Sequence, residues 1–226
     1  MFIQERGIMT EPFLTVYKGG SGDITEKKSK FIASVYPVKS EEEALTYIEQ
    51  AKKKYWDASH NCYAYVIGAK DEIQRCSDDG EPSKTAGRPM LEVLLGEGVH
   101  NALVIVTRYF GGTLLGTGGL VRAYQGAAKE GLKNSVIIEK LCGRKIKITT
   151  DYTGYGKLQY LSSQLEVRFL ETKYTDIVTV IALVQTDKVE KFIKKTIEAT
   201  NGQAETEELE AVYYAVISGE LKIFDL

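Results

Sequence analysis

The chain has 226 residues, 43% of them hydrophobic and 27% charged, with a formal net charge of -2. That is enough apolar mass for one large core or two small ones, in an ordinary globular balance. It excludes a basic domain that grips nucleic acid wholesale, because residues 1–140 hold 18 Lys plus Arg against 18 Asp plus Glu, and residues 141–226 hold 11 against 13. Any nucleic-acid contact must come from a local cluster. Cys62, Cys76 and Cys142 are too few and too odd in number for a disulfide scaffold and point to a reducing compartment. No apolar run reaches the length of a membrane span, and the N-terminus lacks a signal core, so a cytoplasmic protein with no membrane partner is expected. Residues 1–11 are expected to be a flexible tail, with Met9 as an alternative start.

In chain order, Leu14–Tyr17 predicts a short strand, Gly19–Gly22 a loop, and Ser29–Val38 a second strand. Ser40 and Glu43 have the spacing of a capping box and open a helix. Ala44, Leu45, Ile48, Ala51 and Tyr55 give it one apolar face. Lys52, Lys53 and Lys54 close it where cations suit the helix dipole, and read as a solvated end. Asn61–Ile67 predicts a strand. Cys76–Pro89 has no period and is long for a connection, which marks a functional or disordered loop. A short helix follows over Pro89–Leu95. Ala102–Val106 is continuously apolar and β-branched, the pattern of a strand buried on both faces. After the glycine-rich segment Arg108–Gly119, a helix carries Leu120, Val121, Tyr124, Ala127, Ala128 and Leu132 near one face.

The pattern restarts around 134–144. Arg144–Thr150 predicts a strand, and Asp151 caps a helix through Leu158 and Leu161. Val167–Tyr174 and Ile177–Val184 form a strand pair, and Asp187 with Glu190 opens a second helix. Leu209–Ile217 is the last strand, and the acidic run Glu205–Glu210 reads as a solvated turn and strand edge. The order β-α-β-β-α-β is the ferredoxin-like split βαβ pattern. The boundary is placed at 140, giving domains 1–140 and 141–226 in an α+β chain.

The strand–glycine loop–helix unit is the main local signal. Gly111, Gly112, Gly116, Gly118 and Gly119 fall within nine residues, flanked by Arg108 and Arg122. Such a unit aims backbone N–H groups and a helix end at one point, which suits an anion. It is neither a P-loop, since Thr117-Gly118 stands where Lys-Ser/Thr is needed, nor a dinucleotide fingerprint, since Val121 takes the last glycine place. The plainer reading is tight packing alone. Arg108 would present its fork to phosphate or pair with a carboxylate of 78–81. Arg122, placed in the first helical turn, opposes the dipole unless an anion binds.

Ser77-Asp-Asp-Gly-Glu-Pro-Ser83 holds Asp78, Asp79 and Glu81, which could serve as acid, base or Mg²⁺ ligands beside Lys84, Thr85 and Arg88. Carboxylate-rich turns without metal are the commoner case, and no resident metal or cofactor is expected. His60 could act as a base. His60, Cys62 and Cys76 lack the paired spacing of zinc ligands. Cys62 reads as a small buried hydrophobe.

The segments Ala58–Tyr65, Ser77–Pro89 and Arg108–Tyr124 closely resemble the IMPACT family. The resemblance runs through residues 12–133, and the C-terminal part looks like the last domain of elongation factor G. It implies an N-terminal sandwich of the ribosomal protein S5 domain 2 type, a sheet backed by two helices with a left-handed crossover. The motif positions include His60, Asp78, Asp79, Glu81, Thr85, Arg108, Arg122 and the five glycines. It also implies work around translation. Eukaryotic relatives restrain an amino-acid-starvation kinase, partly through an extra N-terminal domain with no counterpart here, so that role does not carry over directly.

The expected function is therefore a translation-associated binding protein, taking RNA, the ribosome or another phosphorylated ligand at the N-terminal loop site. The alternatives are a Mg²⁺-dependent enzyme on a phosphorylated small molecule and a protein–protein adaptor. Oligomeric state is not legible.

Overall fold

The computed structural model describes residues 11–225, so residues 1–10 of the expected tail lie outside the described residues. The chain divides into two compact units, Phe13–Glu139 and Lys140–Leu226, each mixing helices with a sheet. The architecture is a two-domain α+β one.

The first unit runs β1 (Phe13–Lys18), β2 (Ser21–Glu26), β3 (Ser29–Pro37), α1 (Glu41–Lys54), β4 (His60–Ile67), β5 (Ile73–Ser77), α2 (Gly87–Gly96), β6 (Val99–His100), β7 (Ala102–Tyr109) and α3 (Thr117–Lys133). Its sheet has the order β2-β3-β7-β4-β5, with every neighbour antiparallel. β1 pairs with β6 in parallel. β7 is the central strand, which explains its unbroken apolar run. Ala102, Val104 and Val106 face a core shared with α2 and α3, while Leu103 and Ile105 face Ala44, Ile48 and Ala51 of α1. Each fully buried large aliphatic side chain contributes about 1.5–3 kcal/mol. Helices therefore cover both sides of the sheet: α2 and α3 on one face, α1 on the other.

Local chemistry sets the helix ends, with adjustments. Ser40 Oγ accepts from Glu43 N at 3.3 Å, but the Glu43 carboxylate accepts in return from Lys39 N at 2.7 Å, one residue earlier than a capping box requires. Leu45 is exposed, not packed. β2, read as a loop at its start, is an edge strand, and β5 is the other edge.

The second unit contains β8 (Val136–Thr150) from Lys140 onward, α4 (Tyr152–Leu165), β9 (Arg168–Tyr174), β10 (Val178–Gln185), α5 (Val189–Ala199), β11 (Glu205–Ile217) and β12 (Glu220–Phe224). The pairing order is β9-β10-β8-β11-β12, all antiparallel. Without β12, the strands stand fourth, first, third, second across the sheet, the order of a split βαβ unit. Ile146, Ile148, Leu158, Val178, Val180 and Phe192 form its core. Asp151 caps α4, accepting from Gly154 N at 2.6 Å.

Three expectations change here. Asp187 lies in a single 3-10 turn, Thr186–Lys188, and α5 starts at Val189 with no side-chain cap. The acidic run 205–210 is paired strand: Glu207 and Glu210 meet Lys147 and Lys145 of β8 at 3.3 and 2.8 Å. Cross-strand charge pairing replaced the expected turn. The strand expected over Arg144–Thr150 is longer than read, because β8 starts eight residues before Arg144.

Candidate functional site

The registers bring the site together. His60 of β4 and Phe31 of β3 both stand opposite Arg108 of β7, so one rung across three strands carries all three. Arg108 is the last buried residue of β7, only 6% exposed. A buried guanidinium needs a counter-charge. Glu81 supplies it: Arg108 Nη1 donates to Glu81 Oε1 at 2.6 Å, and the Glu81 side chain is 2% exposed. Tyr124 of α3, fully buried, donates its hydroxyl to the same oxygen at 2.8 Å. Arg108 Nη2 lies 3.4 Å from Ser29 Oγ, and that hydroxyl also accepts from Gly111 N at 3.1 Å. The guanidinium sits 5.4 Å from the Phe31 ring centre and 5.6 Å from that of Phe110. Its Nε is buried with no hydrogen-bond partner among the described residues. Arg108 thus takes the carboxylate pairing and does not present its fork to solvent.

The carboxylate loop is equally committed. Asp78 Oδ1 accepts from Ala86 N and Gly87 N, at 3.0 and 2.9 Å, and Oδ2 accepts from Lys84 N at 2.8 Å. It caps the entry to α2, where the N-cap residue Ala86 has no capping side chain. Asp79 Oδ2 accepts from Asn61 N at 2.7 Å, and Oδ1 meets Lys52 Nζ at 2.9 Å. That bond raises the Lys52 pKa above its ordinary value. It also corrects the reading of Lys52 as a solvated helix end. His60 Nδ1 lies 2.8 Å from the carbonyl of Asp79, so Nδ1 carries the proton; Nε2 is 3.8 Å from Glu81 Oε2. Among the described residues no three His, Cys, Asp or Glu side chains gather in a metal-holding group. Thr85 is buried and bonds Pro82 O, and Arg88 pairs with Glu92 along α2. Neither joins the glycine loop.

Cys62 is fully buried under this network. Its single thiol hydrogen has two acceptors, Asp78 O at 3.0 Å and Tyr124 Oη at 3.4 Å. Burial, above all, drives the thiol far above its usual pKa and does the same to the Tyr124 phenol. A thiol held protonated is no nucleophile.

The two loops meet through Glu81, which ties the carboxylate segment to β7 and α3. Beyond that junction the glycine loop opens to solvent. Leu115 packs on the core and anchors it. Gly111 lies against the Lys28 backbone so closely that no side chain would fit. Gly112 and Gly116 have positive φ, 80° and 75°, with open space where a Cβ would point. Gly116 precedes α3 without a capping side chain. Arg122 is the sixth residue of α3, so it belongs to the second turn, not the first. Its guanidinium nonetheless folds back: Nη1 lies 3.6 Å from the Cβ position of Gly118.

Several rim residues carried no sequence signal. Ser59 N bonds Arg108 O at 2.9 Å and Tyr109 Oη bonds Asp57 Oδ1 at 2.9 Å, pinning the 55–59 turn beside the end of β7. Trp56, Phe110 and Leu114 are there exposed by 82%, 50% and 81%. Ser29 and Tyr124 were equally hidden, the first in an ordinary strand, the second on an apolar helix face.

Fold and site define a two-domain α+β protein whose N-terminal loops close over an enclosed arginine–glutamate pair. Residues 27–132 match the Impact N-terminal domain, and residues 148–203 match a domain of unknown function, DUF1949. The chain is 40% identical over 205 residues to IMPACT family member YvyE of Bacillus subtilis (strain 168), covering 91% of this chain and 94% of that protein. It is 35% identical over 178 residues to IMPACT family member YigZ of Escherichia coli (strain K12), covering 78% and 87%. Protein IMPACT of Homo sapiens matches at 37% over 98 residues, 41% of this chain and 30% of that one. A crystal structure of a hypothetical protein superposes with a TM-score of 0.57 at 30% identity, covering 89% of this chain and 99% of the other. The chain belongs to the IMPACT family. No helix among the described residues is long and apolar enough to cross a membrane.

Proposed function

We propose that this protein is a binding module of the translation apparatus, and that the glycine loop of its N-terminal unit holds RNA phosphate. The observation that carries this is the uncapped start of α3. No side chain caps the amides behind Gly116, and Arg122 folds back over them. Backbone N–H groups, the positive helix end and a guanidinium then converge on one exposed point, the setting in which an anion is most favourably held. The buried Arg108–Glu81 pair serves as the frame that fixes the loop, not as the contact. The Mg²⁺-enzyme alternative is weaker, because Asp78, Asp79 and Glu81 are each engaged by protein groups. The ribosomal-type folds implied by the family resemblance raise the translation reading by analogy only.

The test is co-sedimentation with ribosomes from lysate at low and high salt, comparing wild type with Arg122→Glu. Wild type should travel with ribosomal particles at low salt, and the folded variant should not. Absence of wild type from the ribosomal fractions at both salts would remove the translation reading.

A further inference from the structure

We infer that α4 of the second unit is a contact surface for a second copy of this chain, in which Tyr160 of each copy fills the gap over Gly156 of the other. The first sign is composition. The helix Tyr152–Leu165 carries one charged residue, Lys157, in fourteen, whereas α5 in the same unit carries five in eleven. Its outer residues are instead Tyr152, Thr153, Gly156, Gln159, Tyr160 and Ser163, all exposed. Loss of charge with gain of tyrosine marks the centre of a protein contact, not a solvated helix face.

Two glycines stand inside this helix for different reasons. A Cβ at Gly154 would run into the Thr150 side chain, so the unit's own packing accounts for that glycine. A Cβ at Gly156 would meet nothing within 4 Å. A glycine there weakens the helix relative to alanine and relieves no crowding within this chain. It opens a shallow apolar hollow lined by Thr153, Gly156, Lys157, Tyr160, Leu161 and, from α5, Ala199. Tyr152, Gly156 and Tyr160 are spaced four apart, so a large, an absent and a large side chain follow one another down one face.

The tyrosines are held before any partner arrives. Tyr160 Oη accepts from Gln164 Nε2 at 2.8 Å, while the residue stays 66% exposed. Tyr152 Oη donates to Thr175 O at 2.7 Å, and its ring stacks on that of Tyr174 at 6.5 Å, which carries the uncharged surface onto β9. Tyr174 is in turn bonded to Tyr155 at 2.9 Å. Fixed rings lose little freedom on burial, which favours association.

A second copy is the occupant because this face is complementary to itself. Two α4 helices laid antiparallel about a two-fold axis level with Leu158 set residue 156 of each copy opposite residue 160 of the other. Each Tyr160 ring then lies over the Gly156 hollow of the second copy. The same register sets Thr153 level with Ser163, Tyr152 with Gln164, and Lys157 with Gln159, so no charge stands level with another. A helix about 21 Å long offers less than the roughly 800 Å² per partner of a standard interface, so the dimer should be weak.

Sedimentation velocity on the full chain, from about 5 to about 500 μM, tests this. Wild type should shift from monomer toward dimer across that range. Gly156→Arg fills the hollow and Tyr160→Ala removes the group that enters it, and each should weaken dimerisation by about tenfold or more. Gly156→Arg should also keep or raise the melting temperature of the monomer, because its Cβ meets nothing and arginine is the better helix former. Tyr160 is largely exposed, so Tyr160→Ala keeps the test decisive if Gly156→Arg misfolds. A chain that stays monomeric throughout overturns the inference. A dimer of unchanged affinity in both variants overturns it too, by placing the contact elsewhere. A monomer whose co-sedimentation with ribosomes is lost in Gly156→Arg overturns it in favour of a different protein on the same face.

Discussion

Arg108 and Glu81 meet at 2.6 Å with both side chains almost wholly out of water, and Tyr124 donates to the same carboxylate oxygen. Twenty-seven residues separate the pair along the chain, and its closure is what joins the carboxylate loop to the central strand.

Breaking that pair from one side should be costly. Arg108→Ala leaves Glu81 buried without its counter-charge, and Glu81→Ala leaves Arg108 in the same state. Each should lose about 3–5 kcal/mol in urea unfolding. The double variant Glu81→Leu/Arg108→Met should lose clearly less than the sum of the singles. Additive losses in that cycle would show that the two side chains do not depend on each other.

Arg122→Ala should behave oppositely. The side chain is exposed and has no ion-pair partner among the described residues, so stability should move by no more than about 0.5 kcal/mol. RNA affinity should fall, and the slope of log affinity against log salt should shrink by about one unit. An unchanged salt slope would place the phosphate contact elsewhere.

The glycines of the loop should separate into two kinds. A Cβ at Gly111 collides with the Lys28 backbone, which cannot step aside. Gly111→Ala should therefore lower the melting temperature, with a cost of about 1–3 kcal/mol. Gly118 lies within α3 and meets only the flexible end of Arg122 at 3.6 Å. Gly118→Ala should hold or slightly raise the melting temperature, since alanine favours the helix by about 0.5–1 kcal/mol.

Asp78→Ala removes the acceptor for three backbone amides at once. Hydrogen exchange at Lys84, Ala86 and Gly87 should accelerate, and stability should fall by about 1–2 kcal/mol or more. Adding Mg²⁺ should leave the melting temperature of wild type unchanged. A clear upward shift with Mg²⁺ would revive the metal alternative.

Burial holds the Tyr124 phenol well above the ordinary tyrosine value of 10.0. In the unfolded chain it ionises near that value, whereas in the folded chain it keeps its proton. The unfolded state thus binds fewer protons above pH 10, so the contribution of Tyr124 is complete below about pH 10 and drains as pH climbs toward the folded pKa. Tyr124→Phe should be less stable at neutral pH, having lost the bond to Glu81, yet show a shallower alkaline decline in a pH series of urea unfolding curves. Parallel declines would mean that Tyr124 ionises normally in the folded protein.

The amino-acid sequence alone determined the elements that bury a continuous or periodic apolar pattern. The central strand Ala102–Val106, the helix through Leu120 and Leu132, the Asp151 cap and the β-α-β-β-α-β order were all legible, because side-chain alternation is a local property. The strands it missed, β2, β5, β6 and β12, all lie at sheet edges. Such strands bury little, so their sequences carry little period, and only the neighbour's backbone makes them strands. The same divide runs through the site. Glycine spacing located the loop, and the charged residues near it could be named. Which charge would be enclosed and which left free could not be read, since that depends on strand register. Register put His60, Phe31 and Arg108 on one rung and drew Glu81 in over them. It turned the most conspicuous arginine inward and left Arg122, Trp56 and Phe110 facing solvent. Long-range pairing of charges, decided by tertiary packing, converted a list of candidate ligands into a frame and a rim.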